Sequence, residues 1–135
     1  MALKGCLDTR FYFAHYTAEE SGWTKKVVEA ASLPGSRIIS STITMTELLS
    51  VMTREVGGDT VHLRIASAKA AGVHFIPPSE EIATRAGEMV LETRDLPLAD
   101  ALIAATAILH SGGRVYTDDQ HYKSISGVSA VWGRG

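Results

Sequence analysis

Residues 98–106 read Leu-Ala-Asp-Ala-Leu-Ile-Ala-Ala-Thr, an apolar helical run with one carboxylate set into it. Pro97 precedes the run, and proline is tolerated at the first position of a helix, so a helix over about Pro97–His110 is expected. Asp100 then falls in the first turn, where backbone N–H groups have no partner inside the helix. A carboxylate there interacts favourably with the helix dipole, which is a sufficient local reason for its presence. Three other acids in comparable settings make a second reason worth weighing. Asp8 ends the apolar run Leu3–Leu7, Glu47 lies in Thr44-Met-Thr-Glu-Leu-Leu, and Asp119 lies in Val115-Tyr-Thr-Asp-Asp-Gln-His-Tyr122.

The rest of the chain limits what those acids can do. Its 135 residues suit one domain over 1–135, long enough to bury roughly two-thirds of the unfolded surface without staples. Hydrophobic residues make up 45% and charged residues 21%, the balance of a globular rather than a disordered protein. The single cysteine, Cys6, sits in an apolar segment and reads as a small buried hydrophobe, compatible with a reducing compartment. The start Met-Ala-Leu-Lys-Gly-Cys lacks the apolar core of a signal peptide, and no apolar run is long enough to cross a bilayer. A soluble, cytoplasmic protein without a membrane partner is expected. The formal charge of -2 and pI near 6.2 give no overall attraction for nucleic acid, although a local basic patch stays open.

Working outward, apolar periodicity and punctuation predict strands alternating with helices. Leu3–Leu7 is a strand, followed by the N-cap pair Asp8-Thr9 and a short aromatic helix over Arg10–Tyr16. Thr17-Ala-Glu-Glu20 matches a capping box opening a second helix, which Leu33-Pro-Gly35 stops. Arg37–Ser41 is a second strand. Thr44-Met-Thr-Glu47 is another capping box, so a third helix begins there and ends at Gly57-Gly58. Asp59 caps a fourth helix to about Ala71, Gly72–Ile76 is a third strand, and Ser79-Glu-Glu81 starts a fifth helix to about Thr93. After the central helix come a strand at Arg114–Tyr116, a helical turn opening at Thr117–Gln120, and an edge strand at Ser129–Trp132. No internal repeat or linker interrupts the pattern.

Such alternation predicts parallel crossover units, hence a three-layer α/β/α domain with a mainly parallel central sheet. In an open parallel sheet the strands end on one edge, the following helices begin there, and ligands bind outside those ends. Asp8 and Asp119 follow strands, Glu47 belongs to the first turn of the helix after the second strand, and Asp100 to a helix start. Singly, each acid has a local role as a cap or first-turn residue. Together, with Asp100 breaking an apolar helix, they read as one shared acidic site. Carboxylates brought that close either take up protons or gather around a cation. Oxygen ligands favour hard ions, so Mg²⁺ or Mn²⁺ is expected, with coordination left over for water and substrate phosphate. Such an ion can activate a water and stabilise charge on a phosphodiester in an in-line displacement.

Asp8-Thr9, Thr46-Glu47-Leu48, Ala99-Asp100-Ala101 through Ala104-Ala105-Thr106-Ala107, and Thr117-Asp118-Asp119 together resemble the PIN domain family. More closely, they resemble the small stand-alone VapC-type ribonucleases of prokaryotic toxin–antitoxin pairs, over nearly the whole chain. The resemblance implies a metal-dependent endoribonuclease with Asp8, Glu47, Asp100 and Asp119 as its acidic site. Of these, Asp8, Asp100 and Asp119 would hold the ion, with Thr9, Thr117 and Asp118 in support. It also implies an RNA substrate, a small antitoxin partner and a homodimer. The family's last motif runs Thr, any residue, Asp, so Thr117 would orient the site and Asp119 would be the main acid. Whether Asp118 or Asp119 faces the ion stays open. His121 stands where the family often has another acid, and Tyr122 where it often has phenylalanine.

Arg10 and Lys123 lie near the acids and could contact RNA phosphate or balance local charge. His15, His62, His74, His110 and His121 show no paired spacing for zinc and read mostly as surface or satisfied residues. Tyr12, Phe13 and Tyr16 read as core or dimer contacts before base-stacking platforms. Three rival readings remain. A phosphoacceptor receiver domain also clusters carboxylates on a parallel sheet, but it calls for paired acids after the first strand and an acceptor Asp after the third. Here a single Asp8 and Pro77-Pro78 stand in those places. A free-standing PIN nuclease of RNA processing, or a catalytically silent RNA- or protein-binding module, would keep the same acids.

Overall fold

The computed structural model describes residues 2–17 and 21–133. The elements follow in the order β1 (Lys4–Leu7), α1 (Thr9–His15), α2 (Ser21–Ala30), β2 (Arg37–Ser41), α3 (Thr42–Val56) and α4 (Gly58–Ala71). Then come β3 (His74–Ile76), α5 (Glu80–Glu92), α6 (Leu98–Ser111), β4 (Arg114–Tyr116), a 3₁₀ turn (Gln120–Ser124) and β5 (Ser129–Val131). The five strands lie in the order β3-β2-β1-β4-β5, and every neighbouring pair is parallel. The sheet is thus wholly parallel rather than mainly so. Among the described residues no helix is long and apolar enough to cross a membrane.

Strand alternation builds the three layers, because successive side chains point to opposite faces of a sheet. Cys6, Ile39 and Val115 enter one core with Ile82, Ala86 and Met89 of α5 and the alanine-rich face of α6. Their neighbours Leu7, Ile38 and Tyr116 enter the other, with Phe11, Tyr12, Val27, Leu48, Met52, Val61 and Ile65 from α1–α4. Ala101, Ala104, Ala105 and Ala107 are wholly buried, and their small side chains let α6 lie close against the strands. Cys6 is buried as expected.

Several element starts differ from the sequence reading, each for a local reason. Helix α3 begins at Thr42, not at a Thr44 cap, because the Ser41 Oγ at the end of β2 accepts a hydrogen bond of 3.1 Å from the Ile43 backbone N–H. Thr44 is left inside the helix with its hydroxyl buried and unpaired, and Glu47 moves from the first turn to the second. Pro97 is the N-cap of α6 and not its first residue, with ψ 146° outside the helical range, while Asp100 stays in the first turn. Gly57 holds the N-cap of α4, so Asp59 is a first-turn acid rather than the cap. Strand β3 starts at His74 because Gly72, at φ 112°, is spent closing α4. A Cβ on Gly72 would come within 2.8 Å of the Ala31 carbonyl oxygen. The turn expected from Thr117 is a 3₁₀ turn that starts at Gln120, with Asp119 as its N-cap, and β5 ends at Val131, before Trp132. Of the capping box at Thr17–Glu20, Ala18, Glu19 and Glu20 lie outside the described residues; the Thr17 hydroxyl donates backwards to the Phe13 carbonyl at 2.8 Å.

The strand order also fixes where a site can form. From β1 the chain builds outward through β2 to β3, then crosses back over through α5 and α6 to add β4 and β5 on the far side of β1. The direction of winding reverses between β1 and β4, and the crevice outside the carboxyl ends of those two strands is the expected ligand position. Asp8 is the first residue after β1, and Thr117 the first after β4.

Candidate functional site

Asp8 occupies the N-cap position of α1 but does not cap it, since its side chain accepts nothing from that helix's first turn beyond the Thr9 backbone N–H. Its carboxylate turns across the crevice. Oδ2 accepts from the Thr117 hydroxyl at 2.6 Å and Oδ1 from the Tyr122 hydroxyl at 3.3 Å. Thr117 Oγ1 in turn accepts from the Asp119 backbone N–H at 3.0 Å. The ends of β1 and β4 are thereby tied together through one hydroxyl group, which sets where Asp119 leaves the strand.

Two helices from opposite faces of the sheet bring the remaining acids. Glu47 arrives on α3 and is held by the Thr9 hydroxyl, which donates to Oε1 at 2.5 Å. Asp100 arrives on α6, where Oδ2 lies 2.8 Å from His121 Nδ1. The same ring nitrogen lies 3.1 Å from Asp119 Oδ1. Asp119 Oδ1 also accepts from the His121 backbone N–H at 2.9 Å, so this carboxylate fixes both the turn and the ring on it. Asp118 points elsewhere, to Arg10, whose Nε donates at 2.7 Å and Nη2 at 3.2 Å. Asp119 therefore sides with Asp100, and Asp118 forms an ion pair on the rim. Lys123 is exposed on the 3₁₀ turn beyond them.

Asp8 and Asp100 both feel the neighbouring carboxylates. Burial pushes the Asp8 carboxyl up to about 6; hydrogen bonds from Thr117 and the Thr9 backbone oppose the rise, and the Asp100 and Glu47 carboxylates add to it. Burial also raises Asp100, followed by repulsion from Asp119, with His121 and its hydrogen bond pulling the other way. His121 is raised in turn, first by that hydrogen bond to Asp100. Burial is likewise the main cause for Tyr122, which stays a neutral donor to Asp8.

All four acids expected to share a site are joined in this way, with Thr9 and Thr117 as their positioning hydroxyls. The sequence reads His121 as a surface or satisfied residue standing where the family often has an acid, and gives no sign of its contacts with Asp100 and Asp119 or of the Tyr122 hydroxyl on Asp8. The available signal was spacing. On the turn capped by Asp119, position 121 folds back over the cap while position 122 goes inward, and Tyr122 is wholly buried.

A three-layer domain with carboxylates gathered where the winding of a parallel sheet reverses defines a class of acidic-site α/β proteins. The PIN domain model matches residues 5–128, and the chain belongs to the PIN domain family. Among solved structures it is similar to VapBC2 from Rickettsia felis bound to a promoter DNA fragment, with 17% identity, 98% of each chain covered and a TM-score of 0.76. It is also similar to Mycobacterium tuberculosis VapC20, a sarcin-ricin loop cleaving toxin, with 19% identity, 94% of this chain and 98% of that one covered, and a TM-score of 0.68. A toxin–antitoxin complex from Klebsiella pneumoniae is 26% identical over 93% of this chain and 95% of its own, with a TM-score of 0.67. A search of curated protein sequences gives no match.

The residues fit the divalent ion that the family implies. Asp100, Asp119 and His121 each offer a ligand atom, all within 4.8 Å of one another. Asp8, which Asp100 and Glu47 both act on electrostatically, brings a further carboxylate to the same crevice. This oxygen-rich set suits a hard cation, which would relieve the carboxylate repulsion that adds to burial in raising Asp8 and Asp100.

Proposed function

We propose that this protein is a divalent-metal-dependent endoribonuclease that hydrolyses RNA phosphodiester bonds, and that it is the toxin of a pair held inactive by a small antitoxin. The observation that carries the reading is the meeting of Asp8, Glu47, Asp100 and Asp119 at the winding reversal, with Asp8 pushed up to about 6 amid the other carboxylates. Similarity to a sarcin-ricin loop cleaving toxin and to a toxin–antitoxin complex supports the substrate class and the partner. Residues 1–135 act as a single domain in the cytoplasm, as a homodimer.

Asp8, Asp100 and Asp119 would hold Mg²⁺ or Mn²⁺, which supplies Lewis acidity at the phosphodiester and activation of water. The chain's own part is positional. Thr117 and Tyr122 clamp both oxygens of Asp8, so its carboxylate is oriented before any ligand arrives. Thr9 holds Glu47 over the same crevice from the α3 side. Arg10 and Lys123, on the open rim, meet the phosphates flanking the scissile one, which place the strand without reading its sequence.

The test is cleavage of a mixed-sequence RNA in Mn²⁺, Mg²⁺ or EDTA, comparing the parent with Asp100→Asn at matched circular dichroism. Metal-dependent cleavage should fall at least about 10-fold in the variant, since even partners behind a metal ligand cost about 10–100-fold. Full cleavage by a folded Asp100→Asn protein would sink the proposal. A gene for a small DNA-binding protein immediately upstream distinguishes the toxin from a free-standing nuclease.

A further inference from the structure

We propose that His121 is a direct nitrogen ligand of the divalent ion, and that it makes this site select Mn²⁺ over Mg²⁺. The proposal rests on the nuclease reading above and deepens it by naming the ion. Its starting point is geometric. Nδ1 lies 2.8 Å from Asp100 Oδ2 and 3.1 Å from Asp119 Oδ1. Neighbouring corners of an octahedron with bonds of about 2.1 Å are about 3.0 Å apart. The imidazole nitrogen thus already holds a corner's spacing from two carboxylate oxygens.

The ring is placed and not merely nearby. Asp119 caps the turn through the His121 backbone N–H, and the next residue, Tyr122, is wholly buried with its hydroxyl on Asp8. The turn is anchored on both sides of His121. Its side chain is 47% exposed, so an ion that displaces the Nδ1 proton takes that lone pair while the Nε2–H stays in water. Mg²⁺ prefers oxygen and gives up water reluctantly, whereas Mn²⁺, a first-row transition ion that also favours oxygen, accepts an imidazole nitrogen more readily than Mg²⁺ does. Exchanging one oxygen corner for nitrogen therefore moves selectivity towards Mn²⁺.

The experiment loads untagged full-length protein with Mn²⁺ and records electron spin-echo envelope modulation, which detects a directly bound imidazole ¹⁴N without any substrate. His121→Asp and His121→Gln are measured alongside, together with the Mg²⁺ concentration that displaces half of the bound Mn²⁺. The parent should show the ¹⁴N coupling and both variants should lose it. The displacing Mg²⁺ concentration should fall about tenfold or more in His121→Asp, which restores an oxygen at that corner. Bound Mn²⁺ without ¹⁴N coupling in the parent, or a coupling that persists in His121→Gln, overturns the ligand assignment and leaves the nuclease reading standing. Failure of the parent to bind Mn²⁺ in a manner that Asp100→Asn abolishes overturns both.

Discussion

Replacing Asp8 by asparagine should stabilise the metal-free protein at neutral pH, although the residue sits at the centre of the site. The Asp8 carboxyl rises from 3.8 to about 6 on folding, mainly through burial, and it is only 3% exposed. A folded-state value above the unfolded one means that the folded protein binds the proton more tightly. Between those two values the folded state carries more protons, so stability falls as pH rises from about 4 to 6 and the loss is complete above it. A shift of about 2 units at 1.36 kcal/mol each makes that loss about 3 kcal/mol. Asparagine has no charge to bury, still accepts from Thr117, and can turn its amide to the Tyr122 oxygen. Urea unfolding in EDTA at pH 4.5 and pH 7.5 checks this. Relative to the parent, Asp8→Asn should gain about 2 kcal/mol between the two pH values, because the unfolded carboxyl is already mostly ionised at pH 4.5. The comparison cancels most of the titration of Asp100, which both proteins retain. A parent–variant difference that is the same at both pH values would refute the reasoning, because the buried charge would then cost nothing. Mn²⁺ at about 1,000 times its dissociation constant should reverse the order by stabilising the parent by about 4.1 kcal/mol.

Thr117→Val should cost about 1–3 kcal/mol by leaving the Asp119 backbone N–H unpaired, and should lower RNA cleavage; Thr117→Ser should retain both, as read by urea midpoints and turnover. Arg10→Ala should change stability by less than about 1 kcal/mol, because its ion pair with Asp118 is largely exposed. The same variant should reduce the slope of log affinity against log salt for a cleavage-inactive complex with single-stranded RNA by about 0.7, the signature of one lost phosphate contact. Ser41→Ala should cost about 1 kcal/mol through loss of the α3 cap, whereas Thr44→Val should be neutral or stabilising because the Thr44 hydroxyl is buried without a partner. A reversed order for this last pair in thermal unfolding would move the start of α3 back to Thr44.

The sequence by itself determined the three-layer parallel architecture and singled out Asp8, Glu47, Asp100 and Asp119 as acids carried to the strand ends. Helix and strand periods, glycine stops and the Ser79 cap are local, so they act at the range over which a chain reads itself. The cap of α3 falls at Ser41 rather than Thr44, and it is hard to read locally because a residue that ends a strand and caps the next helix belongs to two patterns at once. Tertiary structure alone decided the rest. Asp8 and Asp119 look like ordinary caps in sequence, and only the placement of β4 beside β1 turns Asp8 towards Thr117 instead of its own helix. The choice between Asp118 and Asp119 likewise depends on Arg10, more than a hundred positions away, drawing one aspartate to the rim. His121 gained its place when α6 carried Asp100 to within 2.8 Å of its ring. Hydrogen bonds and repulsion between charges act over a few ångströms in space, and sequence separation does not determine which groups come that close.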